Sequence, residues 1–273
     1  MASGDRPTGL IANKGIELLT FGTPNGVKAS IMLEELKETY GMDYTFQGIN
    51  IMQNIQKEPW FTKLGPNGRI PVIVDHDKGD YAVMEGLAIL NYLTKFYDPE
   101  HKFSFTDDLD ICTAEQWMAW QHGGMGPMQG QAGQYYRFLK ERIPHPTQRY
   151  VGETERLYGV LDARLAGRDY IAGQGKGKYS IADINTFGWV NGCGLAGINL
   201  EQFPNVYAWW ERVRARPAVE KGLSVPSGAP SPFGWRELQK KRAEDPEAAK
   251  AEEPLKEALE AAKKQYNYVY KSP

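Results

Sequence analysis

The sequence predicts an α/β domain followed by an all-α domain, and three observations lead to this fold class. Over about the first hundred residues, short apolar runs of strand length alternate with segments of helical periodicity. The breaker Asp98-Pro99-Glu100-His101 ends this alternation. Beyond it, apolar residues recur at helical spacing only. We therefore expect one part built from strands and helices and one part that is purely helical.

The elements of the α/β domain are predicted in the order β-α-β followed by β-β-α. Strands are expected over residues 16–21, 43–49, 70–74 and 81–84, and helices over 28–36 and 85–97. The first helix is predicted from its apolar residues, which recur at helical spacing and form one wide face. The acids Glu34 and Glu35 stand between them in the sequence. Turn formers at 22–26 separate this helix from the first strand. The order of elements is that of a thioredoxin-like α/β fold.

The second domain is predicted from helical periodicity over residues 109–120, 149–165, 181–190 and 206–213. Ser180 and Asp183 have the spacing of a capping box, with Ser180 at the N-cap. We expect domains at 16–97 and 108–232 and a charged, Ala-rich C-terminal extension at 233–273. One short amphipathic helix through Leu255, Leu259 and Ala262 is expected there. The extension is interpreted as a solvated appendage, with partner binding or dimer clasping as the alternative.

Composition excludes several classes of function. The 273 residues include 32 Lys and Arg and 34 Asp and Glu, and the formal net charge of −2 gives no basic excess of the kind that nucleic acids favour. The two cysteines, Cys112 and Cys193, form no CxxC pair and have no zinc-ligand spacing. No apolar run approaches the length of a membrane span. We expect a cytoplasmic protein with no metal, no nucleic acid and no membrane partner.

A first chemical motif, Thr23-Pro24-Asn25-Gly26, stands between the first strand and the first helix. The N–H groups at a helix N-terminus attract anions, and the same field favours a thiolate over a thiol. The Thr23 hydroxyl and the Asn25 amide could each donate a hydrogen bond to such a thiolate. The alternative is an ordinary turn, for which these residues are equally typical.

Two further motifs lie at strand ends, where α/β folds place ligands. In Arg69-Ile70-Pro71, the arginine could bind a carboxylate. A cis proline would leave backbone groups free to pair with an extended ligand. An ordinary proline at the start of a strand is the alternative. In Glu85-Gly86, the acid could hold an ammonium group and the glycine N–H a carboxylate. A favourable first-turn acid is the alternative for Glu85.

Together these motifs resemble the glutathione-binding domain of the cytosolic glutathione transferases. The capping box at 180–183 matches the helical domain of that family. Residues 120–131, WQHGGMGPMQGQ, resemble a stretch of the bacterial nu-class enzymes and of their fungal relatives, which include the yeast nitrogen-regulator prion. The resemblance covers residues 16–225. It implies a glutathione transferase fold, glutathione as co-substrate or cofactor, and a homodimer.

The resemblance also implies roles for individual residues. Thr23 and Asn25 would face the glutathione sulfur as the catalytic residues. Glutathione would further be bound by Gln56 and Arg69 at the glycyl end, Ile70 and Pro71 at the cysteinyl backbone, Glu85 and Gly86 at the γ-glutamyl group, and Arg149 across the dimer interface. An acceptor pocket for an apolar electrophile would be walled by Met125, Met128, Tyr135, Tyr136 and His122. Core packing is the alternative for this last set.

Two departures from the family pattern bear on activity. Gly86 replaces the usual Ser or Thr and loses one hydrogen bond, so weaker glutathione binding is expected. No Tyr, Ser or Cys stands at the end of the first strand, so thiol activation must rest on the helix end and on hydrogen-bond donors.

The expected function is activation of the glutathione thiolate. The thiolate would attack, or add reversibly to, an electrophilic small molecule in detoxification or fungal specialised metabolism. A double-bond isomerase and a disulfide reductase begin with the same activated sulfur and are alternatives. A non-catalytic regulatory or binding protein on a transferase scaffold is the alternative from another class.

Overall fold

The computed structural model describes residues 6–266, which group into two compact units. The first, here called the sheet unit, contains residues 6–111, 179–188 and 213–231. The second, the helical unit, contains residues 112–178 and 189–212 and the described residues from 232 onward. Neither unit is contiguous in sequence, because two segments of the predicted helical domain, 179–188 and 213–231, pack within the sheet unit.

A four-stranded sheet forms the centre of the sheet unit. Its strands are β1 (Ile16–Thr20), β2 (Tyr44–Gly48), β3 (Val72–Asp75) and β4 (Tyr81–Met84), in the order β2-β1-β3-β4. β1 is parallel to β2 and antiparallel to β3, and β3 is antiparallel to β4. β1 and β3 are buried along their whole length, as central strands are. The predicted thioredoxin-like order is confirmed, and most strand ends differ by one or two residues.

Three helices occur between these strands or directly after them: α1 (Gly26–Tyr40), α2 (Pro59–Leu64) and α3 (Gly86–Tyr97). α1 is longer than predicted at both ends and ends at Gly41, whose φ of 72° lets its N–H bond the carbonyl of Lys37. α2 was not predicted, because one and a half turns are too short to show a helical period. α3 begins one residue later than expected.

The following helices are α4 (Asp108–Trp120), α5 (Gly126–Gly133), α6 (Pro144–Leu165), α7 (Ile181–Asn191), α8 (Pro204–Arg214) and α9 (Pro217–Leu223). Two π-helical turns, Gln121–Met125 and Gln134–Phe138, precede and follow α5. Within residues 6–266 no strand follows β4, which confirms the all-α prediction for this part. The capping box is also confirmed, since the N–H of Ser180 donates to Asp183 Oδ2 at 3.0 Å and the N–H of Ala182 to Ser180 Oγ at 3.3 Å.

The C-terminal extension is packed on the helical unit. It forms α10 (Trp235–Glu244), α11 (Pro246–Lys250) and α12 (Glu253–Tyr266), and the final residues 267–273 lie outside the described part. Leu259 and Ala262 of the predicted amphipathic helix are buried. The carboxylate of Glu252 accepts from Arg137 Nη2 at 2.9 Å and from Arg242 Nε at 2.8 Å. The segment is therefore docked, whereas the sequence favoured a solvated appendage.

Candidate active site

The register of the sheet brings three of the predicted motifs to one edge. The last paired residues of the three antiparallel strands at this edge are Leu19, Val72 and Met84. The next positions along these strands are Thr20, Pro71 and Glu85. The motifs at 23–26, 69–71 and 85–86 therefore enter or leave the sheet side by side, which sequence separation alone would not reveal.

The N-terminus of α1 lies directly beyond this edge. The N–H of Gly26 donates to Thr23 Oγ1 at 3.1 Å, and the N–H of Val27 donates to the Thr23 carbonyl at 3.0 Å. The hydroxyl of Thr23 thus caps the helix through its oxygen and keeps its own proton as a donor. Asn25 precedes the first helical residue, is exposed, and does not cap the helix with its side chain. Both residues stand where unpaired helix N–H groups attract an anion.

Two glycines allow this turn to pack closely within the sheet unit. A Cβ atom on Gly26 would lie 2.0 Å from the carbonyl oxygen of Phe21, and one on Gly188 of α7 would lie 2.3 Å from that of Pro24. No Cβ is tolerated at either distance without a backbone shift. α7 therefore contacts the turn before Asn25 through backbone, and nothing in the sequence pattern of α7 indicated this.

A second helix N-terminus, that of α3, begins at the same edge. Its N-cap residue Glu85 has φ 70° and ψ 121°, a strained conformation that costs about 1–3 kcal/mol in a non-glycine residue. The side chain of Asn67 donates from Nδ2 to Glu85 Oε1 at 3.1 Å and orients this carboxylate. Gly86 is buried as the first residue of α3. Glu85 and Gly86 were predicted from the sequence, whereas no local signal pointed to Asn67.

Gln56 and Arg69 lie on segments that approach each other. A Cβ atom on Gly68, whose φ is 60°, would lie 3.0 Å from the carbonyl oxygen of Gln56. Gln56 is buried, and its Oε1 has no hydrogen-bond partner among the described residues. Arg69 is exposed, and Lys57, which the sequence analysis missed, donates from Nζ to the Asn67 carbonyl at 3.4 Å. Lys57 and Arg69 bring two positive charges to these segments, and cations of this kind bind carboxylates.

Ile70 and Pro71 connect this loop to β3. The peptide bond between them is cis, which is the first of the two interpretations that the sequence left open. Ile70 precedes the paired part of β3 and packs on a buried cluster of Leu19, Ile49, Ile55, Phe61 and Val72. Because Ile70 packs on this cluster, the backbone that leads into β3 has a fixed position.

The helical unit contains the residues expected to wall an acceptor pocket. Met125 and Tyr136 are buried and contribute to the core of this unit. His122, Met128 and Tyr135 are partly exposed. The structure thus separates the five residues into two buried and three accessible side chains.

The accessible residues of this unit lie on or beside helical turns that are held in place. The ring of Tyr135 stacks on that of Tyr150 of α6, with centroids 5.6 Å apart and planes 12° from parallel. Arg149 is half-exposed on the same helix, and its Nη1 lies 4.0 Å from Glu153 Oε2. Arg149 is therefore on a regular helix, with its guanidinium partly open to solvent.

The chain offers no thiol of its own to the sheet unit. Cys112 and Cys193, the two cysteines of the sequence, both belong to the helical unit. Cys193 is buried, and burial raises the pKa of its thiol far above the ordinary value. Within residues 6–266, no group of three or more His, Cys, Asp or Glu could hold a metal ion, and no helix is long and apolar enough to cross a membrane.

A thioredoxin-like sheet unit with two helix N-termini at one sheet edge, joined in one chain to an all-helical unit, defines a protein of the glutathione transferase class. The family model "Glutathione S-transferase, N-terminal domain" matches residues 16–95, and "Glutathione S-transferase, C-terminal domain" matches residues 145–217. The chain belongs to the glutathione S-transferase family.

Relatives refine this assignment. The chain is 36% identical to the Disulfide-bond oxidoreductase YfcG of Escherichia coli, over 76% of this chain and 94% of that protein. It is similar to a glutathione transferase homolog of Lodderomyces elongisporus solved with two GSH per subunit, with a TM-score of 0.72 and 37% identity. The match covers 78% of this chain and 99% of that chain. It is also similar to Ure2p solved in complex with glutathione, with a TM-score of 0.71 and 31% identity. This match covers 78% of this chain and 96% of that chain. These findings confirm the subgroup indicated by residues 120–131.

Proposed function

We propose that this protein is an enzyme that binds glutathione and activates its thiolate for attack on, or reversible addition to, an electrophilic small molecule. The observation that carries this proposal is the start of α1 and α3 at the same sheet edge, with Thr23 and Asn25 at the first N-terminus and Glu85 at the second. Both helices offer N–H groups and a partial positive charge to an anionic ligand. Glutathione has two carboxylates and a thiol that such sites suit.

The edge can hold each part of glutathione. Gln56 and Arg69 would bind the glycyl carboxylate, with Lys57 beside them. The backbone of Ile70, before Pro71, would pair with the cysteinyl residue. The γ-glutamyl group would have its ammonium bound by Glu85 and its carboxylate by the N–H of Gly86.

The chemistry would consist of thiol deprotonation followed by carbon–sulfur bond formation. The thiol proton leaves to solvent, and donors from Thr23, Asn25 and the α1 N-terminus stabilise the thiolate. The thiolate attacks an electrophilic carbon and expels a leaving group, or adds to a conjugated alkene whose α-carbon then takes up a proton. Reversal after bond rotation would isomerise the alkene. His122, Met128 and Tyr135 would border the acceptor, and the protein would contribute alignment as well as charge stabilisation.

Disulfide reduction is a second candidate reaction. It is supported by the name of the Escherichia coli relative and by the two glutathione molecules per subunit of the Lodderomyces elongisporus structure. One thiolate would attack the substrate disulfide, forming a mixed disulfide and releasing a thiolate. A second glutathione would then displace the other substrate sulfur, and glutathione disulfide would leave. Arg149, which we propose reaches the site of a second subunit, would bind a carboxylate there.

A homodimer is proposed because the sheet unit exposes an aromatic groove. β4 and α3 line a groove of about 670 Å³ that includes Tyr81, Leu87, Tyr92 and Phe96. Tyr81 is 58% and Phe96 47% exposed, although their rings pack on that of Tyr92. Exposed aromatic side chains grouped in this way offer an apolar surface to a partner. A Leu87→Asp protein is expected to be monomeric by light scattering, and an unchanged mass would exclude this surface from the interface.

Glutathione titration tests the proposed enzyme. Binding and thiolate absorbance would be measured for the wild type, Asn25→Ala and Asn25→Asp, and S-methylglutathione, which has no ionisable thiol, would serve as the control ligand. We expect the wild type to lower the thiol pKa and both variants to lose this effect while still binding S-methylglutathione. If the wild type did not bind glutathione, the proposed enzymatic function would be refuted. Binding without a change in thiol pKa would favour a regulatory protein on a transferase scaffold.

Assays with three acceptor substrates distinguish the candidate reactions. The wild type would be assayed with chlorodinitrobenzene, hydroxyethyl disulfide and an enone with a movable double bond. Turnover of the aryl halide indicates a transferase, turnover of the disulfide a reductase, and double-bond migration without loss of glutathione an isomerase.

A further inference from the structure

Lys28 of α1 is a buried amine for which the proposed mechanism has no role. Its Nζ donates to Oδ1 of Asn185 on α7 at 3.1 Å, and both residues are fully shielded from solvent. Burial lowers the pKa of the Lys28 ammonium to about 7. An amine in this position is close to the balance between its neutral and charged forms, so a new charge in its vicinity changes its protonation.

The Lys28 amine lies beneath the turn that carries Asn25. Lys28 follows Asn25 by three residues, a rise of about 5 Å along α1. Asn185, its hydrogen-bond partner, precedes Gly188 by three residues on α7, and Gly188 abuts the carbonyl of Pro24. Both helices thus place the amine about one turn from the proposed sulfur position, at a distance on the order of 10 Å. Two unit charges at this distance still interact enough to shift a pKa by about one unit.

We propose that Lys28 is the internal counter-charge of the glutathione thiolate, so that its amine gains a proton when the bound thiol loses one. This inference rests on the proposed function, because the thiolate must form at the N-terminus of α1. The thiol proton passes to solvent and the amine takes up a proton from solvent, so proton uptake at Lys28 offsets part of the release from the thiol. By linkage, the ammonium favours the thiolate as much as the thiolate favours the ammonium.

The other charged groups on the elements packed around α1 have described partners. Asp183 of α7 accepts from Ser180, and Glu220 of α9 pairs with Arg214. On α1 itself the pairs are Glu34 with Tyr44, Glu35 with Arg216, Lys37 with Asp43 and Glu38 with Lys221. On α3, Lys95 is exposed and lies over the Phe96 ring. Glu17 of β1 pairs with His76 at the opposite end of that strand from Thr20.

The variant Lys28→Met tests the proposal, because methionine fills a similar volume without charge. Thiolate absorbance of bound glutathione would be titrated against pH for both proteins. We expect the apparent thiol pKa to rise by about one unit in the variant, which is about tenfold less thiolate well below that pKa. The affinity for S-methylglutathione is expected to stay within about twofold, since no thiolate forms.

A matched control separates charge from packing. Ser30→Ala removes a buried hydrogen bond on the same helix, from Ser30 Oγ to the Gly222 carbonyl at 2.7 Å, without changing charge. It should leave the thiol pKa at the wild-type value. A Lys28→Met protein with the wild-type thiol pKa overturns the proposal. Failure of the wild type to lower the thiol pKa at all would instead refute the proposed function.

A measurement on the wild type alone covers the case in which Lys28→Met does not fold. Calorimetry of glutathione binding in two buffers of different ionisation enthalpy gives the number of protons released. At about pH 8 the amine is mostly neutral, so uptake by Lys28 should reduce the release to less than about half a proton. Thiolate formation with release of nearly one proton overturns the proposal.

Discussion

Gly188 of α7 lies against the carbonyl oxygen of Pro24, with room for a hydrogen atom and nothing larger. A Cβ atom at position 188 would be 2.3 Å from this oxygen and 2.9 Å from Cγ2 of Val27. The backbone of α7 is therefore in contact with the turn from which α1 starts. The position of Asn25 depends on this contact as well as on the sheet.

Gly188→Ala is expected to destabilise the protein and to weaken glutathione binding. The methyl group must displace the Pro24 turn or bend α7, and overpacking of this kind costs about 1–3 kcal/mol. Urea denaturation and glutathione titration measure the two effects. Gly123→Ala is the control, since a Cβ there meets no atom within 4 Å. Equal behaviour of the two variants would show that the Pro24 contact has no influence.

Asn67→Ala is expected to weaken glutathione binding without unfolding the protein. The variant loses the 3.1 Å hydrogen bond that orients the Glu85 carboxylate, an interaction of about 0.5–1.5 kcal/mol. The dissociation constant for glutathione should rise about two- to tenfold. Asn199→Ala, which removes an exposed side-chain acceptor for the Glu201 N–H, is the matched control. An unchanged glutathione affinity would remove Asn67 from the site.

Glu252→Gln is expected to destabilise the helical unit by about 3 kcal/mol at neutral pH, since it leaves two partly buried arginines without their carboxylate. Burial opposes ionisation, but hydrogen bonds from Arg137 and Arg242 outweigh it and lower the pKa of Glu252. Its stabilisation is thus complete above the ordinary carboxyl pKa and is lost as pH falls through the lower folded-state value.

Urea denaturation as a function of pH measures this effect. The stability difference between the wild type and Glu252→Gln should be constant above about pH 4.5 and shrink below about pH 4. Glu247→Gln is the control, because its pair with Lys250 is exposed and contributes less than about 1 kcal/mol. A difference that grows on acidification would contradict the assigned ion pairs.

His76→Gln tests a pair at the other end of the sheet. Burial favours the neutral ring, but hydrogen bonds to Asp80 at 2.5 Å and to Glu17 at 3.1 Å outweigh it and raise the pKa of His76. Its stabilisation is therefore complete below about pH 6.5 and is lost as pH rises through the folded-state pKa. Denaturation at several pH values should show the wild-type advantage shrinking toward alkaline pH. An advantage that grows with pH would refute the pairing.

Local patterns were sufficient to predict most of the fold. Alternation and apolar runs located all four strands, and the capping box at Ser180 located the start of α7. The patterns failed where long-range contacts decide the structure. α2 is too short to show a period. The predicted amphipathic helix is present as α12, but the charged composition of α10 to α12 is typical of solvated helices and did not indicate that they are docked. Glu252 reads as one more surface acid until Arg137, 115 residues away, is placed beside it.

The site was predictable for residues in strand-end motifs and not for those that hold them. Glu85 and Gly86 follow a strand and open a helix, a local signal. Asn67 has no sequence relation to Glu85 and acts through the fold. Lys28 reads as a polar residue on an amphipathic helix, yet the packing of α7 buries it completely. A side chain such as Lys28 is identified only when the neighbours that exclude water are known.

The docked extension also has a consequence for biosynthesis. Arg137 is translated 115 residues before Glu252, so a growing chain contains this guanidinium long before its carboxylate exists. Until then the π-helical turn Gln134–Phe138 carries an arginine whose final ion pair cannot form. The helical unit therefore acquires its complete set of contacts only after Glu252 has been translated. Ribosomal products that stop before α11 therefore contain Arg137 and Arg242 without the carboxylate that pairs with both.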